Sequence, residues 1–433
     1  SKSNTNRWLL AVTGQGGGIM YGTINLVWGY GGGIESNEMA RLEYSSRDGE
    51  APWILIGEVA VGAGQFPWNS AWTLFGVDVY KSSSRARWRI SLRDDPAVQD
   101  DAGPFGLRNK PFKYYVNDTA TVNDVYCTAI GSDDNYGDDV DIPKLTLENL
   151  LGNIDVEPAD QVYVDTGIYA MADTNTPIVW GSGDEGLPDR LVEVFGSTHA
   201  DGSRFVAPED FIPIGTDRAM LFMNAKYAKM QNLRLEGESL LFNGHGLVVS
   251  NLTLTNRAGG GSVSLRIRGD AARFKELQLA RASLLVSGTS NRVERLRQRW
   301  GETELYGTNV TVVNSVVLTT NASRTGIVVN AAYAVISNCT VLSSRGTAIG
   351  KLGAYPLSLD HNILVAGGGD DHAAIAWVDG DLSSDWNNLL ARNSSWIGIR
   401  NGRWEKLAYW QTISGQDANS VSFEPRFANE TTG

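Results

Sequence analysis

Over the first hundred or so residues, apolar positions come in short runs separated by clusters of Gly, Ser, Asp and Pro. These runs are Trp8 to Thr13, Thr23 to Trp28, Ala40 to Tyr44, Trp53 to Val61, Trp72 to Tyr80 and Ala86 to Leu92. In Arg41-Leu42-Glu43-Tyr44 and Arg87-Trp88-Arg89-Ile90 apolar and polar residues alternate with period two. That period belongs to a strand with one face in a core and the other in water. The runs and the turn residues between them predict an antiparallel β-sandwich over residues 1–112. Near Arg108-Asn109-Lys110-Pro111 the pattern changes, and it restarts at Lys113-Tyr114-Tyr115-Val116, which places a domain boundary between them. A polar loop, Gly131 to Asp138, then leads to Pro143. After it Leu147, Leu150, Leu151 and Ile154 recur at helical spacing and predict one short amphipathic helix. Strand patterning returns at Gln161-Val162-Tyr163-Val164.

From about Ala219 a short apolar strand recurs behind a polar residue, often Asn, at intervals of roughly 19 to 26 residues, the range of solenoid coils. The series is Asn232-Leu233-Arg234-Leu235, Asn251-Leu252-Thr253-Leu254, Glu276-Leu277-Gln278-Leu279, Arg295-Leu296-Arg297, Asn314-Ser315-Val316-Val317, Asn338-Cys339-Thr340-Val341, His361-Asn362-Ile363-Leu364 and Asn387-Asn388-Leu389-Leu390. Asn suits such a position because it tolerates left-handed backbone and its amide reaches the equivalent turn one coil away. A further strand per coil is read in Leu240-Leu241-Phe242, Val263-Ser264-Leu265, Leu284-Leu285-Val286, Ile327-Val328-Val329 and Ala374-Ile375-Ala376. Several short strands per repeat without a helix exclude a leucine-rich or helical solenoid.

Two resemblances follow from these residues. Residues 1–112, with Leu42-Glu43-Tyr44-Ser45-Ser46-Arg47-Asp48-Gly49 turning into a strand that carries Trp53, loosely resemble immunoglobulin-like or fibronectin-like domains. Residues 113–433 resemble a right-handed parallel β-helix of the pectate-lyase-like superfamily: a tyrosine-rich strand, a Gly/Asn/Asp loop, a short helix over the coil end, then stacked coils. The resemblance implies an all-β chain with an N-terminal capping helix, an extracellular location, secreted or cell-surface, and polysaccharide as partner. It is specific for fold and weak for activity.

Composition narrows the partners. A net charge of −12 disfavours general affinity for nucleic acid or anionic membrane. There is no run of about 18 apolar residues that would insert into a membrane. Two cysteines, Cys127 and Cys339, lie far apart in sequence and read as buried apolar residues, without a disulfide framework or a Cys-based metal site. The glycine runs Gly16-Gly17-Gly18 and Gly31-Gly32-Gly33 lack the Lys-Ser/Thr of a phosphate loop. Arg268-Gly269-Asp270 matches an integrin-ligand tripeptide by chance frequency alone. The Asn-x-Ser/Thr sites at Asn251, Asn309, Asn321 and Asn338 follow from an Asn- and Thr-rich composition.

Two groups carry candidate chemistry. Asp370, Asp371, Asp379, Asp381 and Asp385 crowd beside Trp377, Trp386 and Trp396. Paired carboxylates with aromatic faces suit glycoside hydrolysis, or sugar or calcium binding without catalysis; no cofactor is expected, with Ca2+ the one ion the carboxylates leave open. Solvated turns and coil packing are the structural alternative. Arg295, Arg297 and Arg299, with Arg266, Arg268, Arg273, Arg281 and Arg292, form a basic patch in an acidic chain. Stacked coils would align such residues into a stripe suited to uronate or sulfate, for binding or for a polysaccharide lyase, with a salt-bridge ladder to Glu276, Glu294, Glu302 and Glu304 as the structural alternative. Gly244-His245-Gly246 matches a polygalacturonase motif, but its distance from Asp370-Asp371 and their reversed order argue against a shared site.

The sequence therefore points to an extracellular β-helix module that binds polysaccharide, with cleavage left open, or to a non-catalytic structural or adhesive segment of a larger surface protein or filament. The residues after Ser420 show no closing cap, which predicts an open coil end available for self-association.

Overall fold

The computed structural model describes residues 6–12, 19–20, 22–74, 77–108, 111–171, 176–209, 211, 219–257, 262–319 and 324–427. The Gly16-Gly17-Gly18 run and Asn321 lie outside the described residues. The chain forms two compact units, Ser1–Phe112 and Lys113–Gly433.

The first unit is an antiparallel sandwich. One sheet joins Trp8–Val12, Thr23–Gly31 and Gln65–Asn69; the other orders Ile19–Met20, Gln99–Leu107, Ser83–Leu92, Met39–Ser45 and Ile54–Ala60. Period-two alternation buries Leu42, Tyr44, Trp88 and Ile90 as expected. Trp28, Trp68 and Trp88 fill the core, whereas Trp53 lies under the Arg89 guanidinium, 4.1 Å from its ring centroid. Among the described residues of the run Trp72 to Tyr80, Thr73–Leu74 pairs antiparallel with Val77–Asp78. Gln65–Asn69 was hidden by Pro67, which sits on an edge strand, where a missing N–H is tolerated.

The second unit is a parallel β-helix. Each coil has a first strand, a sharp corner, a second strand, and a third strand on another side. Among the described residues the first and second strands build one 19-stranded sheet and the third strands another, parallel from coil to coil, to which Arg403–Trp404 adds a final antiparallel strand. From the third such strand pair onward the corner after the first strand is a single left-handed residue: Asn232, Asn251, Glu276, Arg295, Asn314, Asn338, His361 and Trp386, all with φ between 50° and 61°. The sequence series marks the same positions except in the last coil, where the corner is Trp386 rather than Asn387. Asn251 Nδ2 donates to Asn232 Oδ1 at 3.0 Å, the coil-to-coil amide bond expected of stacked asparagines.

The residue after each corner turns inward. Leu233, Leu252, Leu277 and Leu296 stack there first, then Ser315, Cys339, Asn362 and Asn387, all buried. Polar members of this column accept from the backbone of the coil before: Leu296 N to Ser315 Oγ at 3.1 Å, Cys339 N to Asn362 Oδ1 at 2.9 Å, Asn362 N to Asn387 Oδ1 at 2.8 Å. Cys339 is thus a small residue in a packed column; desolvation raises its thiol pKa to about 11. Cys127 is also buried and unpaired by disulfide.

Helix α1 (Leu147–Asn153) covers the first coil, with Leu147, Leu150 and Leu151 buried and Thr146 Oγ1 accepting from Asn149 N as N-cap. Its contacts reach the strand Ile178–Trp180. The last coil is covered too, contrary to the sequence expectation of an open end. Helix α2 (Leu407–Ser414) places fully buried Trp410 against Gly398, where an added Cβ would lie 2.0 Å from the indole. Buried Asp417 accepts from Trp410 Nε1 at 2.8 Å, Ser384 Oγ at 2.8 Å and Asn387 Nδ2 at 3.1 Å, joining cap to last coil. The cap escaped notice because a single inward Trp in two helical turns leaves no apolar stripe. Among the described residues no helix is long and apolar enough to cross a membrane.

Because coils contact mainly their neighbours, Trp410→Ala should act at one end. A loss of about 3–5 kcal/mol is expected, with faster hydrogen exchange in 382–399 and unchanged exchange in 228–255. Uniform acceleration along the chain would contradict a local cap.

Candidate functional site

A cavity of about 1040 Å³ forms a groove on the outer face of the second strands in the early coils. Strand register builds its floor. Ile168, Arg204, Arg234, Thr253 and Gln278 form one outward column, one residue per coil, and Glu236 and Thr255 belong to the next. Loops 117–131 and 197–202 supply the walls. The first is pinned by buried Asp165, whose carboxylate accepts from the backbone N–H groups of Val125 (2.6 Å), Tyr126 (2.8 Å), Cys127 (2.5 Å) and Thr166 (2.7 Å). Asn123 Nδ2 ties the two walls together through Asp201 Oδ2 at 2.9 Å.

Every carboxylate lining the groove is engaged. Asp118 accepts from Ala120 N at 2.7 Å and Ile168 N at 3.0 Å. Glu236 accepts from Arg204 Nε at 2.8 Å. Asp201 stands 3.3 Å from His199 Nδ1. Arg234 reaches the Ala200 and Asp201 carbonyls at 2.7 and 3.2 Å, across Gly202. The groove leaves no local signal in the sequence, since its residues come from six separate stretches.

The arginines predicted as a stripe are distributed by register over several sides. Arg295 is a corner residue, and its Nη1 donates to Glu276 Oε1, the preceding corner, at 2.6 Å. Arg273 and Arg292 face outward on the first strands, the latter 3.7 Å from Glu294. Arg281 lies over the Trp300 ring at 5.3 Å. Arg297 and Arg299 face outward on the second strand, around buried Gln298, and Arg297 continues the column of Gln278 one coil beyond the groove.

The aspartate–tryptophan group is likewise divided. Asp370 and Asp371 lie between the second and third strands, where Trp396 Nε1 donates to the Asp370 carbonyl at 2.7 Å and Arg403 donates to Asp371 Oδ1 at 2.6 Å. Asp379 and Asp381 lie between the third strand and the next first strand. The Asp379 carbonyl accepts from Trp377 Nε1 at 3.1 Å and from buried Lys351, whose amine desolvation depresses despite the charges of Asp379 and Asp381. Trp377 is only 6% exposed and holds the Arg400 guanidinium 3.3 Å over its ring, so it is core. Asp385 ends the first strand beside Trp386. Desolvation raises its pKa, but hydrogen bonds from Asn419 N, Asn419 Nδ2 and Trp386 N, aided by His361, outweigh that and lower it overall. Trp386 is 56% exposed and stacks on His361, centroids 6.0 Å apart. Among the described residues no group of three His, Cys, Asp or Glu converges for a metal ion.

A carboxylate pair appears where the sequence offered only salt-bridge partners. Glu302 and Glu304 project outward around buried Thr303 on a third strand. Burial raises the Glu302 carboxyl pKa, and the Glu304 charge adds to it while Arg324 opposes it. Tyr306 Oη donates to Glu304 at 2.8 Å.

No protein-family model and no curated protein matches the chain. Among solved structures the chain is similar to a rhamnogalacturonan lyase (12% identity, TM-score 0.42, covering 72% of this chain and 87% of that one). It is also similar to a pectate lyase (10%, 0.42, 74% and 80%) and to the catalytic domain of an alpha-1,3-glucanase in complex with nigerose (12%, 0.32, 91% and 75%). Identities this low carry no residue roles across.

Glu302 yields a pH test with a definite sign. With its folded pKa above the ordinary 4.5, the unfolded chain ionises first, so the residue costs stability as pH rises past that value. Glu302→Gln should therefore be more stable than wild type in urea at pH 7 and equal to it near pH 3. The same difference at both pH values would rule out a titrating origin.

Proposed function

We propose that this β-helix binds an extended anionic polysaccharide along the outer face of the second strands, outside the cell. The carrying observation is the groove whose floor repeats coil by coil through Arg204, Arg234, Thr253 and Gln278 and continues to Arg297 and Arg299. Equivalent side chains recur about every 4.8 Å, so Arg234 and Arg297, three coils apart, stand roughly 14 Å from each other along the axis. Guanidinium forks at such intervals suit the carboxylate or sulfate groups of a chain lying along the coil. Since the groove's carboxylates are already engaged, holding the chain fits better than cutting it.

One observation favours a second reading, cleavage at Glu302 and Glu304. A carboxyl held toward its protonated form beside a second carboxylate is the pairing used by glycoside hydrolysis. Helix α2 lies over the coil end through which self-association was expected.

Arg234→Ala and Arg297→Ala should each weaken binding to uronate or sulfated polymers about tenfold, the scale of one charge-assisted hydrogen bond, and flatten its salt dependence, in titration calorimetry. Shortened products from wild type but not Glu302→Gln would establish the second reading. No binding across neutral and anionic polymers would leave the structural or adhesive segment as the function.

A further inference from the structure

We propose that the outer face of the first strands in the last coils holds a second saccharide site, separate from the groove and selective for a neutral pyranose, between Tyr333 and Asp381. A cavity of about 350 Å³ lies there, lined among others by Thr311, Tyr333, Val335, Ser358, Asp381 and Ser383. Drug-sized ligand pockets begin at about this volume.

Tyr333 is the first argument. It is 58% exposed and has φ 61° at the corner that opens its coil. The bridge pairing of Thr289, Thr308 and Ala332 aligns the next residues, so the same corner is Ser290 and Asn309 in the two preceding coils. Ser and Asn are small and polar, and Asn adopts left-handed backbone readily; a bulky aromatic does so at a cost. An exposed ring gives the coil interior no packing in return, so the strain is better explained by what the ring presents outward.

The floor is the second. Thr311, Val335, Ser358 and Ser383 form one outward column, one residue per coil. Their hydroxyls both donate and accept, as do those of a sugar, and Val335 offers an apolar patch beside the tyrosine ring.

Charge is the third. Among the described residues the cavity's only charged lining residue is Asp381, which accepts hydrogen bonds from sugar hydroxyls and repels a uronate. Asp360 and Asp385, paired in register, extend the negative field along the same face toward Trp386. This inverts the preference of the arginine-floored groove and gives Asp381 a binding role rather than a catalytic one.

Titration calorimetry with neutral hexose oligosaccharides and with uronate oligosaccharides tests the site. Tyr333→Asn places at this corner the residue the preceding coil already uses, so the backbone keeps its turn while the ring is lost. The expected result is saturable binding of a neutral oligosaccharide by wild type, at least tenfold weaker in Tyr333→Asn, retained in Tyr333→Phe, and unchanged in Arg234→Ala. Failure of wild type to bind any neutral oligosaccharide, equal binding by Tyr333→Asn, or loss of binding in Arg234→Ala would overturn the proposal. The groove reading is judged separately, on the uronate ligands.

Discussion

From Asn232 onward the β-helix depends on turning the chain between first and second strands with one residue. A single left-handed corner leaves no slack, so the next side chain must point inward and those after it alternate from a fixed start. Parallel pairing carries that start to the following coil, and a slip of one position would expose the whole inward set. The buried column running from Leu233 to Asn387 records this constraint. Where it turns polar, each side chain satisfies a backbone N–H of the coil before, so the turn and the core are built by the same atoms.

The same constraint decides where chemistry can assemble. Residues adjacent in sequence are sent to different sides, whereas residues about one coil apart are brought together. Arg295, Arg297 and Arg299 divide between corner and face, and the aspartates from 370 to 385 divide among three stretches of the coil. In contrast, Arg204, Arg234 and Gln278, distant in sequence, share one column. The outer surface is thereby sorted by side: mixed charge and arginine along the second strands, hydroxyls, an aromatic ring and carboxylates along the first strands of the last coils.

The fold was legible because its signals are local and repeated. A polar residue ahead of a short apolar strand fixed most corners, and helical spacing fixed α1. What escaped was whatever repetition does not mark. Trp386 takes a corner usually given to Asn, so the last coil was read one residue late; α2 seals the end with one tryptophan; Gln65–Asn69 forms a strand through a proline. The candidate sites were less legible for a physical reason: proximity in sequence was taken as proximity in space, which a solenoid denies. Reading outward positions at intervals of one coil, rather than in clusters, would have found the column of Arg204 and Arg234.

The regularity of the corners sets a unit of growth. Glu276 and Arg295 are 19 residues apart and bonded to each other. A gain or loss of one such segment between the caps would shift everything beyond it by a single coil, about 4.8 Å along the axis, while leaving each side chain on the side it had. A chain of this kind can therefore change the length of its outer faces in discrete steps while their chemistry stays in place, and the covered ends allow the number of coils, rather than the details of any one, to vary.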